Sequence, residues 1–302
     1  MGQIKDYDAK TTPALTDEIV LQETGSGLTK KITNENFLKT IQVEVDTNIS
    51  DIVALQTNPS LPEGFIYGLT ISNDTDTEHD IEVAAGRCKD STNAYELALA
   101  SAMTKKIDEA WEVGDDKGGL DTGSVANTTW YYLYLIKKDS DSSIDVLFSA
   151  SKTSPTMPAG YTYFRRIRGA VLTDGSANIL GFTQKDNTFY FNAVILDQDL
   201  SNPISITRAL ITVSVPPDML GNFAMYMWEG DESYIWVNSV IYTDMAADVD
   251  NFDLTASTTA TKTIINYNII VDASSQIAYR SSLANVSVFK IKTKGFEDPA
   301  QD

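Results

Sequence analysis

Histidine and cysteine are nearly absent from this 302-residue chain, which has one of each, His79 and Cys88. A single cysteine excludes an intrachain disulfide and a thiolate zinc cluster. It leaves Cys88 the role of a small buried hydrophobe. A Ser-His-Asp triad would have to use His79, which lies in the acidic turn 73–80, and no Gly-x-Ser-x-Gly elbow is present to pair with it. His79 therefore reads as a surface residue, and no catalytic residue is assigned. Cations are also scarce: 23 Lys+Arg against 42 Asp+Glu give a formal charge of −19. Such a field repels polyanions, so the charge argues against nucleic acid as a partner. No apolar run approaches the ~18 residues of a membrane span. The opening MGQIKDYDAKTTPALTDE lacks the apolar core of a signal peptide, and Asp6 stands where myristoylation after Gly2 requires Ser or Thr. The expectation is a chain made in a cytoplasm, without membrane insertion. No phosphate-cradling glycine loop and no fixed-period repeat is found.

What is present is ordinary for a packed protein, with 42% hydrophobic and 22% charged residues. The most organised stretch is 38–55. Leu38, Ile41, Val45, Asn48, Ile52 and Leu55 step by three and four, the seam of a coiled coil. β-Branched residues along that seam favour three or more strands over two, and Asn48 would fix the register. The same spacing also fits one amphipathic helix packed on its own domain. Before it, 18–23 and 28–33 flank a glycine turn and predict a β-hairpin, too small to fold alone. Thr33 or Asn34 is a plausible N-cap with Glu35 in the first turn, and Pro59 and Pro62 close the helix.

From residue 65 onward the pattern becomes alternating and turn-rich. WYYLYLI at 130–136 predicts a central strand covered on both faces, and 203–215, 223–228, 234–241, 263–271 and 286–291 read as further strands. A loop is expected over 253–261. The fold class is mainly β: an extended arm and hairpin (1–37), a short coiled-coil helix (38–58), and a β-sandwich, jelly-roll-like region (65–302). That region is one unit or two, 65–192 and 193–302.

Metal-binding and charged motifs are weak. Asp139, Asp141 and Asp145 occupy positions 1, 3 and 7 of a possible calcium loop, but Ile144 replaces the glycine at position 6 and Ala150 the glutamate at position 12. Asp74, Asp76, Glu78 and Asp80 would share one face if they lay on a strand. Solvated turns explain both tracts, and no metal or cofactor is assigned. Arg165, Arg166 and Arg168 form the one dense basic cluster, where carboxylates of a neighbouring subunit could satisfy Arg166 and Arg168; an isolated solvent-facing trio is equally allowed. Two carboxylates suffice for glycan cleavage, and 42 acidic residues leave that alternative open.

Two stretches resemble proteins of tailed bacteriophages. The segment PALTDEIVLQETGSGLTKKITNENFLKTI, through Asp17 to Leu21, Gly27, Thr29 to Thr33 and Leu38, resembles the N-terminal attachment segments of phage fibres. A wider pattern spans 86–192: Gly86-Arg87, Asp90, Asn93, TKKID at 104–108, Trp111, GGLD at 118–121, WYY at 130–132, Asp145, MPAGY at 157–161 and RRIRG at 165–169. It resembles a β-rich domain of phage and prophage structural proteins. The resemblance implies a virion protein assembled in the bacterial cytoplasm: a homotrimeric tail fibre or fibre adaptor. It would dock on other virion proteins through residues 1–37, with Ile19, Leu21, Leu28 and Ile32 as anchor positions, and display its β region to a host-surface glycan or protein. A capsid head fibre and a glycan-cleaving tail spike are the alternatives.

Overall fold

The computed structural model describes residues 18–22, 29–57, 61–201, 205–229, 233–246, 254–256, 261–283 and 288–298. It divides into two compact units, Met1–Pro62 and Glu63–Asp302. In the first, strands Glu18–Gln22 and Thr29–Thr33 form an antiparallel pair that places Glu18 opposite Thr33 and Ile19 opposite Ile32. The chain passes directly from this hairpin into a helix, Asn34–Thr57. Thr33 ends the strand and caps the helix, its Oγ1 accepting the Asn36 amide at 3.3 Å. That satisfies one of the amide donors a helix leaves without intrahelical partners. Twenty-four residues at 1.5 Å each make a rod about 36 Å long.

The second unit is mainly β. Its largest sheet runs in the order Tyr161–Arg166, Trp130–Lys138, Ile144–Ser149, Lys117–Leu120, Met103–Ala110, Asp80–Val83, Ile71–Asn73. Trp130–Lys138 is central, and Tyr131 through Ile136 are buried without a break, as the aromatic run predicts. A three-stranded sheet joins Ile66–Gly68, Gly86–Lys89 and Glu96–Leu99. The rest of the unit forms two more sheets. One is ordered Phe182–Lys185, Thr188–Leu200, Val288–Glu297, Leu220–Glu229, Thr261–Ile270; the other Ala209–Thr212, Gln276–Ser281, Ser233–Ser239, Leu254–Ala256. Thr188–Leu200 runs straight across position 192/193. Buried side chains from both sides of that position, among them Leu133, Phe148, Phe189, Phe223 and Ile291, belong to one core.

Two local expectations change. The expected loop over 253–261 contains strand Leu254–Ala256, which pairs with Ser233–Ser239. A three-residue edge strand is too short for its alternation to show in the sequence. The expected strand over 203–215 contracts to Ala209–Thr212 within the described residues. The Ser205 hydroxyl instead donates to the Thr207 carbonyl at 2.7 Å, a local bond that competes with sheet pairing.

Close packing explains the glycines of two motifs. A Cβ on Gly119 would come within 2.7 Å of the Phe148 ring and 3.0 Å of the Lys105 Cβ. Gly169, at φ +91°, lies against Phe189, whose ring a Cβ would meet at 2.2 Å. Only glycine fits such approaches.

Candidate functional site: the helix seam and the ionic core

From Glu35 to Asn48 every helix residue except Phe37 is exposed, the positions of the expected seam and the off-seam Val43 alike. Leu38, Ile41 and Val45 are 54%, 41% and 42% exposed, and Asn48 is exposed with them. Large aliphatics recurring on one face of a helix and left open to solvent are the pattern that a second helix covers. The side chains of Ile52 and Leu55 lie outside the described residues. Among the anchor positions, Ile19, Leu21 and Ile32 lie in the hairpin strands, with Leu21 opposite Lys30, and Leu28 lies outside the described residues.

Within the β unit, several motif residues of 86–169 are buried, among them Lys105, Leu120, Tyr131, Tyr132, Asp145 and Arg165. Lys105 and Asp145 are 0% and 1% exposed and form an ion pair at 2.8 Å. The Lys105 ammonium also donates to the carbonyls of Glu112 at 2.5 Å and Gly114 at 2.9 Å, which accounts for its three protons. Burial pushes this ammonium below the usual lysine range, and the hydrogen bond to Asp145 opposes that shift. Asp145 in turn accepts the Gly114 and Val146 amides, both at 2.7 Å. Trp111 lies 5.4 Å from the Lys105 ammonium, donates its indole N–H to the Val146 carbonyl and meets Tyr161 edge-on at 5.2 Å. Four pieces of the 86–192 pattern thus meet around one buried charge.

The solvated-turn reading of 139–145 changes at one residue, since Asp145 is buried. Asp145 turns into the core as its strand begins, while Asp139 accepts the Thr162 hydroxyl and Asp141 caps the Ser143 amide. The three carboxylates do not converge. Hydrogen bonding to Ser143 holds the Asp141 carboxyl at about 2. The acids of 74–80 do not share a strand face either, because only Asp80 lies in a strand. Asp74 accepts the Thr104 hydroxyl at 2.6 Å, and burial raises the carboxyl of Asp80. No group of three metal-ligating side chains occurs among the described residues.

Arg166 and Arg168 find partners within the chain, in place of the neighbouring subunit or the solvent that the sequence left open. Arg166 makes a forked pair with Asp298 at 2.7 and 3.3 Å, Arg168 donates to Asn187 at 2.6 Å, and Arg165 is buried. Asp298 also accepts the Gly169 amide at 2.9 Å. Its own amide bonds the Asn187 carbonyl, and that bond brings the distant carboxylate to the cluster.

His79 pairs with Asp76 at 2.9 Å and is partly exposed, which suits a turn residue. Asp90 closes another turn. Burial alone would raise its carboxyl, but hydrogen bonds from Thr92 and Tyr95 hold it below the usual range. Cys88 is fully buried, and desolvation pushes its thiol up to about 12.

The Lys105–Asp145 pair was detectable in principle: period two places Lys105 on the same face as Met103 and Ile107. A lysine within an apolar alternation is the signal of a buried cation.

No family model matches the chain, and no curated protein does. A solved structure titled "X-Ray structure of E. coli ycfD" overlaps with 8% identity over 56% of this chain and 42% of that one, at a TM-score of 0.13. This chain thus spans less than half of that protein, and the overlap carries no argument about fold or function.

Proposed function

We propose that this chain is a structural virion protein of a tailed bacteriophage, a homotrimeric fibre or fibre adaptor. In this reading the hairpin arm docks on other virion proteins and the β unit is displayed for attachment. The observation that carries the reading is the open aliphatic seam of Leu38, Ile41 and Val45 on a capped 24-residue helix. An apolar stripe left in water costs roughly 25 cal/mol per Å² that association would recover. β-Branched residues in the seam favour three copies. The arm and the 86–192 motifs supply the phage context by resemblance. The β unit is read as a jelly-roll-like sandwich, supported by alternately buried strands such as Leu220–Glu229 and Val288–Glu297. Three copies would also multiply weak surface contacts into useful avidity.

Light scattering coupled to size exclusion tests the assembly. The expected mass is that of three 33.1 kDa chains, and a single-chain mass at micromolar concentration would end the trimer reading. Removing residues 1–37 is expected to leave a soluble protein that no longer enters particles; unchanged incorporation would remove the anchor role.

A further inference from the structure

The sheet containing Val288–Glu297 buries one face and opens the other. Phe223, Met225, Met227, Phe289, Ile291 and Thr293 face inward and are fully buried. On the opposite face the register sets Tyr226 between Lys290 and Ile264, and Ala224 between Lys292 and Asn266. Tyr226, Ile264, Lys290 and Lys292 line an open cavity of about 530 Å³, and Ile264 is 68% exposed at its wall. That volume lies within the range of small-ligand sites, roughly 300–1,000 Å³.

Charge makes this face unusual for the molecule. In a chain of net charge −19, three lysines of one strand, Lys290, Lys292 and Lys294, gather here. Among the described residues one carboxylate answers them: Asp199 accepts from Lys290 at 2.7 Å. Lys294 donates to the Asn266 amide oxygen at 3.0 Å. Lys292 is exposed, with no ion pair among the described residues. Next to these cations, Asn222 and Asn268 stand opposite each other across the strands.

We propose that this face binds a carboxylated glycan, a chain of sugars carrying uronic or sialic acid groups. Each component has a partner in such a ligand. The half-buried Tyr226 ring offers an apolar surface to the C–H face of a pyranose. Amide side chains donate and accept at once, as sugar hydroxyls require. Lys292 and Lys294 meet sparse carboxylates within a Debye length of about 8 Å, where the local field prevails over the distant negative surface. Nucleic acid fits less well, because its closely spaced phosphates would experience the whole −19 field. The inference rests on the attachment reading only for its biological setting and gives that reading a ligand class and a surface.

Calorimetric titration of the full-length protein with oligogalacturonate, oligomannuronate and oligosialic acid tests it, with dextran and a dT12 oligonucleotide as comparators. Binding to at least one acidic glycan is expected, weakening at least fivefold between 50 and 500 mM NaCl, with neither comparator binding comparably. Lys292→Ala should reduce affinity at least threefold, and Lys292→Glu with Lys294→Glu at least tenfold. Tyr226→Ala should abolish binding. The lysine variants change solvent-facing side chains and leave the core intact, and unchanged thermal melts would show it; Lys185→Ala on another strand should bind as wild type. No binding to any of the three acidic glycans, comparable binding of dextran or dT12, or undiminished binding by the double variant overturns the proposal. The two readings fail separately. A monomer that binds acidic glycan through Lys292 keeps this site and loses the fibre, whereas a trimer that binds none does the reverse.

Discussion

Lys105 and Asp145 form a charge pair without access to water, so each is tolerated only because the other is there. Lys105→Met should cost about 3–5 kcal/mol in urea unfolding, the range for breaking a buried pair. Adding Asp145→Leu should restore part of that loss by removing the stranded carboxylate. Additive losses would show the pair to be uncoupled. Asp197 is a milder case: burial raises its carboxyl although Thr293 and Ser214 donate to it. A folded pKa above the unfolded one means that ionisation costs stability at neutral pH, a cost relieved as pH falls through the folded value. Asp197→Asn should therefore raise the melting point at pH 7 by the equivalent of up to about 1 kcal/mol. The gain over wild type should vanish in acid. At this scale the sequence misleads in a specific way. The carboxylates of 139–145 look alike in a line of letters, but Asp145 lies in a strand that buries it, while Asp141 sits in the turn before that strand, in water.

Elements were more legible. The glycine turn announced the hairpin, the cap signal at Thr33 or Asn34 fell at the helix start although the seam begins only at Leu38, and the aromatic run at 130–136 marked the centre of the largest sheet. Short edge strands stayed hidden because three residues carry no period. The seam makes its own prediction. On the trimer proposal, Ile41→Asp with Val45→Asp should reduce the scattering mass from three chains to one, the two side chains being exposed in the single chain. Asn48→Ile should raise the melting temperature of the assembly and blur its register, as polar seam residues trade stability for specificity. The 73–80 turn has a pH window. Hydrogen bonding to His79 lowers Asp76, so its contribution is present above the unfolded carboxylate value and fades as pH falls through the folded one. Hydrogen bonding to Asp76 raises His79, whose contribution is present below the unfolded imidazole value and is lost as pH rises through the folded one. Protection of the Glu78 and His79 amides, relative to the intrinsic exchange rate at each pH, should be greatest between those limits; a flat protection profile would show that the pair does not hold the turn.

At the scale of the whole molecule, the second unit is held by contacts distant in sequence. Arg166 binds Asp298, and the Phe189 ring stacks on Phe296 at 4.9 Å. Such pairings were not legible from the chain, because nothing local to residue 166 points to residue 298. Stopping the chain after residue 287 removes a strand that lies between Thr188–Leu200 and Leu220–Glu229, and should yield insoluble protein. The same arrangement sets an order of events in the cell. A nascent chain leaves the ribosome from its N-terminus, so its aliphatic helix is exposed long before Val288–Glu297 can insert between the waiting strands. On the trimer proposal, neighbouring chains on one messenger would begin to associate through their helices while their β units are still incomplete.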